Sequence, residues 1–303
     1  MQQTNPGNLM GSPRLPDFFI AGAAKAGTTS LWRYLIQHPS IFMPEDAVYK
    51  EPGFFSCLRP FNDREAYLRL FEDAAPGQRV GEASGAYLTS PDSAQRIQAD
   101  IPDAQVIIML RNPADRAFSL YQWMTQNGYE HAPTFDEALL LEEERMRSAS
   151  FKRSNPEYYY NYLYYHSGLY SRQIDRYLSA FGEDQVEVLI FEEFIDAPEK
   201  HTQKVYQFLR VDPDFRPVTR VHNRSRSARA PRAQVALREF VEPTLNTLGL
   251  PGRHRLLQIA RSLNEKKRVQ LDKTTRAQLL RAYRDDIRAT GQLLDRDLSS
   301  IWL

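Results

Sequence analysis

At 303 residues, with 39 Lys+Arg against 38 Asp+Glu and a net charge of +1, the chain has no global charge to draw it to nucleic acid or a membrane surface. No apolar run approaches the roughly 20 residues of a membrane span, and no apolar signal segment opens the chain. One cysteine, Cys57, fits a reducing compartment, and without a Cys/His cluster no metal site is expected.

Residues 1–16, rich in Gln, Asn, Gly and Pro, read as a flexible N-terminal segment. No linker or repeat divides 17–303, which reads as one domain. Phe18 to Ala21 has the unbroken apolar character of a buried strand. Gly22, Lys25 and Gly27 then make a tight loop, after which Leu31, Trp32, Leu35 and Ile36 keep helical spacing. Strand, glycine loop and helix aim backbone N–H groups and a helix dipole at one point, which is an anion site. Thr28, Thr29 and Ser30 add hydroxyl donors, so the loop is expected to hold phosphate. In a Walker loop the lysine follows the second glycine; Lys25 instead comes two residues before Gly27. Its ammonium then sits on the loop, where it can cover an oxygen on the 5′ side of a nucleotide.

Residues 104–110 form a second continuous apolar run, again a strand covered on both faces. Asn112 follows as an N-cap, Pro113 as a first helical residue, and Asp115 sits near the helix's positive end. Arg111 thus falls at the carboxyl end of the strand, the edge where open α/β sheets bind ligands. A P-loop NTPase would tend to place an acidic, metal-holding residue there. A fixed guanidinium suits a second phosphate better; a surface pair of Arg111 with Asp115 is the plainer alternative.

Residues 134–147 are acidic with helical spacing and lead to a tyrosine-rich stretch, in which Tyr158, Tyr162 and Tyr165 share one helical face. Two readings stand: a helix packing rings onto the core, or part of an acceptor lid over 126–166 whose rings stack on a sugar, phenol or lipid head group. An amphipathic helix over 168–181 leads to a strand at Val186–Ile190, an alternation that favours a parallel sheet. Residues 222–232 are basic and, read alone, form an exposed arm or solvated loop; Lys266-Lys267-Arg268 reads as solvated. Leu279, Leu280, Tyr283 and Ile287 mark a C-terminal helix expected to pack on the sheet. His38 falls at a helix end where a cation is favoured, and it, His131, His166 and His222 read as satisfied structural histidines.

Four blocks then match a family: Gly22–Leu31, Tyr49–Phe55, Gly81–Leu88 and Arg111–Ser119. Over about residues 17 to 232 the chain resembles the sulfotransferases that use 3′-phosphoadenosine 5′-phosphosulfate (PAPS), in the branch of the heparan-type carbohydrate enzymes and their bacterial relatives. The resemblance implies an α/β, P-loop-like three-layer fold with a central, mainly parallel sheet flanked by helices. It implies that Lys25, Ala26, Gly27, Thr28, Thr29 and Ser30 hold the 5′-phosphosulfate and that Arg111 and Ser119 grip the 3′-phosphate. Arg226, Ser227 and Arg229 fall where the family has a loop closing over the nucleotide. Glu51 takes the place of the general base for in-line sulfuryl transfer to a hydroxyl or amine, with Lys25 neutralising the bridging oxygen. Lys50, Tyr87 and Tyr162 are expected at the acceptor, although a solvated Lys50 is an equal alternative. PAPS is then the donor, PAP the product, and no metal takes part. The acceptor is a sugar, lipid, phenol or tethered small molecule, and the protein reads as bacterial and cytoplasmic.

Three departures narrow this. Gly53 stands where many relatives have histidine, Ala83 where the heparan-type enzymes have lysine, and Gly85 where many bacterial relatives have proline. Fewer cationic and ring contacts argue against a heavily sulfated glycan. The alternatives are a nucleotide kinase or NTPase with a modified phosphate loop, and a non-catalytic module for nucleotides or polyanions.

Overall fold

The computed structural model describes residues 14–46, 50–56, 63–154, 159–219, 226–228, 230–247, 257, 259, 263–267 and 269–303. Met1–Pro13, Tyr49, Cys57, Tyr158, His222, Arg229 and Arg268, all used in the sequence reading, lie outside the described residues. Five parallel strands form one sheet in the order β2-β3-β1-β4-β5, with β1 at Phe18–Gly22, β2 at Ile41–Phe42, β3 at Arg79–Ala83, β4 at Gln105–Leu110 and β5 at Val186–Ile190. Every residue of β1 and β4 is buried, which is why both read as unbroken apolar runs. Each fully buried Phe, Ile or Leu in them contributes roughly 1.5–3 kcal/mol. β1 lies between β3 and β4, so the winding reverses there and its carboxyl end is the switch point of the sheet. The α/β class with a parallel sheet and flanking helices is as the sequence indicates.

The chain divides into two compact units, residues 1–110 with 173–220 and residues 111–172 with 221–303. The first holds the sheet together with helices Thr28–Leu35, Arg64–Arg69, Ser93–Asp100 and Pro198–Phe208. His38 is 1% exposed, a satisfied structural histidine. Its Nδ1 accepts from Ser40 N–H and its Nε2 donates to the Asp212 carbonyl, both at 3.0 Å. That is the neutral tautomer, held between Tyr206 and Phe215.

The second unit is built on helices Pro113–Gln126 and Lys273–Leu293 and a small antiparallel pair, β6 (Arg226–Ala228) with β7 (Glu265–Lys267). Lys266 and Lys267, read from the sequence as solvated, lie on β7. Leu279, Leu280, Tyr283 and Ile287 are buried, and this face meets the Pro113–Gln126 helix and the ring of Tyr165. The tyrosine stretch is also not a helix. It forms two short 3-10 turns, Tyr159–Tyr162 and His166–Gly168, because the Glu142 carboxylate takes the N–H groups of Tyr165 and His166 at 2.7 and 3.2 Å. Tyr159, Tyr162 and Tyr164 are buried. The following helix starts at Ser171, where Asp286 accepts from the N–H groups of Tyr170 and Ser171. Among the described residues no helix is long and apolar enough to cross a membrane.

Burial pushes the phenols of Tyr67, Tyr87, Tyr164 and Tyr283 well above the ordinary 10.0. Above pH 10.0 the unfolded chain loses phenolic protons that the folded chain keeps, so stability falls as pH rises. In an alkaline titration, tyrosinate absorbance of these buried rings is expected to rise together with loss of circular dichroism; full ionisation with structure intact would contradict their burial.

Candidate active site

In the first unit, β1 ends at Gly22 and the chain turns at once. Ala23 N–H donates to the Met109 carbonyl at 2.8 Å, and Ala26 N–H donates back to Ala23 at 3.1 Å. Lys25 (φ 67°) and Gly27 (φ 97°) are both left-handed. For a lysine that conformation costs of order 1–3 kcal/mol and persists only where the surroundings fix it. Gly27 caps the Thr28–Leu35 helix with no side-chain hydrogen bond. The first helical bonds are Ser30 N–H and Leu31 N–H to the Gly27 carbonyl, at 2.9 and 3.3 Å. The N–H groups of Gly27, Thr28 and Thr29 therefore precede the ladder and have no acceptor within the helix. The structure gathers Lys25 through Ser30 into this one turn, the geometry of an anion cradle.

The second element of this unit is the Lys50–Ser56 segment. Lys50 is not solvated: it is 6% exposed, with Nζ donating to Glu51 Oε1 at 2.9 Å and lying 5.9 Å from the Trp32 ring centre. The Glu51 side chain is 44% exposed, so a buried ammonium steadies an accessible carboxylate. Beyond it, Gly53 N–H donates to Ser84 Oγ (3.0 Å) and Phe55 N–H to Tyr87 Oη (3.2 Å). Ser84 Oγ and Tyr67 Oη donate to the two oxygens of Glu82 at 2.6 and 2.5 Å. Burial raises the Glu82 carboxyl above its usual range, and the hydroxyl donors oppose that rise. Tyr87, expected at the acceptor, is 0% exposed and belongs to this network.

In the second unit, Arg111 and Ser119 are 8% and 3% exposed. Asn112 caps the Pro113–Gln126 helix, its Oδ1 accepting from the N–H groups of Ala114 and Asp115 at 3.1 and 3.2 Å. Ser119 lies seven residues on, hence on the same side of the helix as the cap. Tyr170 Oη donates to the Arg111 carbonyl at 2.9 Å. Asp115, for which the sequence offered Arg111, takes a two-pronged pair with Arg276, both contacts 3.1 Å. β6, bearing Arg226 and Ser227, runs beside this helix. Tyr162 lines a cavity of about 240 Å³ with Glu130, Arg145 and Phe151.

Sequence reasoning gave no role to Glu82, Tyr67, Arg116 or Glu130. Two of them had a signal: Glu82 and Arg116 are charged residues inside the matched blocks, next to apolar runs. Arg116 is 1% exposed and donates to the Tyr164 carbonyl and Ser167 Oγ at 2.8 and 2.9 Å.

The model of the sulfotransferase domain matches residues 15–232. The chain belongs to the sulfotransferase family. The crystal structure of a sulfotransferase from Alicyclobacillus acidocaldarius is 33% identical, covers 95% of this chain and 98% of its own, and superposes with a TM-score of 0.71. Among curated relatives, bifunctional heparan sulfate N-deacetylase/N-sulfotransferase 1 of Caenorhabditis briggsae is 27% identical over 208 residues, and that of Homo sapiens 30% over 207. These matches cover 66% and 65% of this sulfotransferase chain but only 23% and 22% of those relatives. The family match takes in residues of both compact units.

A Cβ at Gly27 would stand 2.8 Å from Phe191 Cδ2 and 3.1 Å from Met109 Sδ, whereas Gly77, also left-handed, has nothing within 4 Å. Gly27→Ala is expected to lose about 1–3 kcal/mol of unfolding free energy, and Gly77→Ala clearly less. Denaturant unfolding of both variants checks this; equal losses would mean that backbone strain alone, and not close packing of the loop, requires Gly27.

Proposed function

We propose that this sulfotransferase moves the sulfuryl group of PAPS to a hydroxyl or amine acceptor by in-line displacement. One observation carries the donor assignment: a left-handed Lys25 stands just ahead of a helix whose first N–H groups lack any side-chain cap. Backbone donors and a fixed ammonium are preorganised for negative charge, and such preorganisation stabilises charge developing in the transition state. Lys25 neutralises the oxygen that leaves with the nucleotide, and Ala26 through Ser30 hold the phosphosulfate. Arg111 and Ser119, both buried on one helix start, take the 3′-phosphate, with Arg226, Ser227 and Arg229 as further donor contacts. A guanidinium forks onto phosphate oxygens with two parallel bonds, which a magnesium-dependent nucleotide site does not need.

Glu51 is the general base in this reading. Its carboxylate is accessible and is oriented by Lys50 at 2.9 Å, so it can accept the acceptor's proton as the new S–O or S–N bond forms. Lys50 thereby acts on the base, and Tyr87 acts from the buried network; neither is assigned to the acceptor. Tyr162 is retained as an acceptor contact through the cavity it lines.

Calorimetric titration with PAP, ADP and ATP, with and without Mg²⁺, tests the donor assignment. PAP is expected to bind without metal and far more tightly than ADP, a preference that Arg111→Ala removes. Magnesium-dependent ATP binding with no preference for PAP would instead favour a kinase. Glu51→Gln is expected to keep PAP affinity and lose on the order of 10²–10⁴ in PAPS turnover; undiminished turnover would remove Glu51 as the base.

A further inference from the structure

We infer that Glu82 is a positioning residue for the reaction, fixing through a hydroxyl relay the turn that carries Glu51. The inference rests on the general-base reading of Glu51 but on a different set of atoms. The relay has a definite direction. Gly53 N–H donates to Ser84 Oγ, so the Ser84 hydroxyl proton is left to point at Glu82 Oε1, 2.6 Å away. A backbone N–H two residues from Glu51 is therefore tied, through one hydroxyl, to a buried carboxylate, and two residues further on Phe55 N–H donates to Tyr87 Oη. Tyr67 Oη donates to the other oxygen at 2.5 Å. Ser93 Oγ donates to the Phe55 carbonyl at 3.1 Å and so holds the turn from its other side.

Rings fix what the relay orients. Phe54 stacks on Tyr67 with centroids 4.2 Å apart and planes 7° apart, and Phe55 meets Phe19, Tyr67 and Tyr87 edge-on at 5.6, 5.8 and 6.1 Å. Gly53 takes φ 64°, which turns its N–H inward to Ser84. A carboxylate 1% exposed is costly to bury, and the Ser84 and Tyr67 hydroxyl donors offset that cost here. Only an acceptor-only group at position 82 takes both hydroxyl protons at once. Glu82→Gln keeps the shape but sets an amide donor against one of these hydroxyls, and in either orientation Ser84 loses the charged acceptor that holds it.

The test pairs amide exchange with a double-mutant cycle. In Glu82→Gln, the Gly53 amide is expected to exchange at least tenfold faster, with PAP affinity within twofold of the parent. PAP release from PAPS, with water as the acceptor, is expected to fall about 10- to 100-fold in kcat, with KM for PAPS little changed. In the Glu51→Gln background the same substitution is expected to cost no more than twofold. Equal losses in both backgrounds would make Glu82 a merely structural residue and overturn the inference, as would unchanged exchange at Gly53. If Glu51→Gln alone has no effect, the general-base reading fails, while the exchange result still reports on the relay. Ser84→Ala removes the relay without disturbing the carboxylate and keeps the test decisive if Glu82→Gln does not fold: faster exchange is then expected at Gly53 and not at Phe55, and equal exchange at both sites would overturn the relay.

Discussion

The close approach of Gly27 to Phe191 and Met109 is the constraint on which the loop after β1 depends. β1 is buried along its whole length, so it has no slack to move, and its carboxyl end must reverse into a helix within five residues. The reversal fits only if the residue at its apex carries no Cβ and takes a left-handed turn. Once that is fixed, the helix axis is fixed, and with it the direction of the N–H groups of Gly27, Thr28 and Thr29. The strain held at Lys25 follows from the same packing. A lysine would not choose φ 67° on an exposed turn; here the bonds from Ala23 to Met109 and from Ala26 to Ala23 leave it little choice.

Both compact units meet a second difficulty in the same way. Segments without ladder partners still have backbone groups to satisfy, and in each unit a buried charged side chain takes them up. In the first, Glu82 serves the N–H of Gly53 through the Ser84 hydroxyl. In the second, Arg145 and Arg116 donate to the carbonyls of Tyr162 and Tyr164, and Glu142 accepts from Tyr165 and His166. Arg145 is itself neutralised by Glu130 at 2.7 Å. Removing one partner of such a buried pair typically costs about 3–5 kcal/mol, because the other is stranded. Charge in these cores therefore fixes irregular backbone, and the aromatic rings around it exclude the water that would loosen it.

The same division explains what the sequence made legible. β1, β4, the Thr28 helix and the Asn112 cap were readable because each is set by local pattern: unbroken apolar runs, helical spacing, a side chain bonding two residues on. The tyrosine stretch misled because its helical spacing is real, yet Glu142, some twenty residues earlier, captures the N–H groups a helix needs. Lys50 misled for a related reason: its burial against Trp32 is decided by a residue that no local window contains. β2, β6 and β7 are two or three residues long and carry too little pattern to register. At Glu51 and Ser119 the expectation came from the resemblance and not from pattern, and a resemblance conveys roles without contacts, so Tyr87 entered as an acceptor residue although its ring is buried and its hydroxyl takes the N–H of Phe55.

Gly53, where the resemblance leads to an expectation of histidine, follows from backbone physics. At φ 64° a side chain is disfavoured by roughly 1–2 kcal/mol, and it would have to be accommodated while the N–H stays on Ser84. Glycine meets the turn without that strain and keeps the inward hydrogen bond, so the residue type at this position is set by the backbone it must adopt.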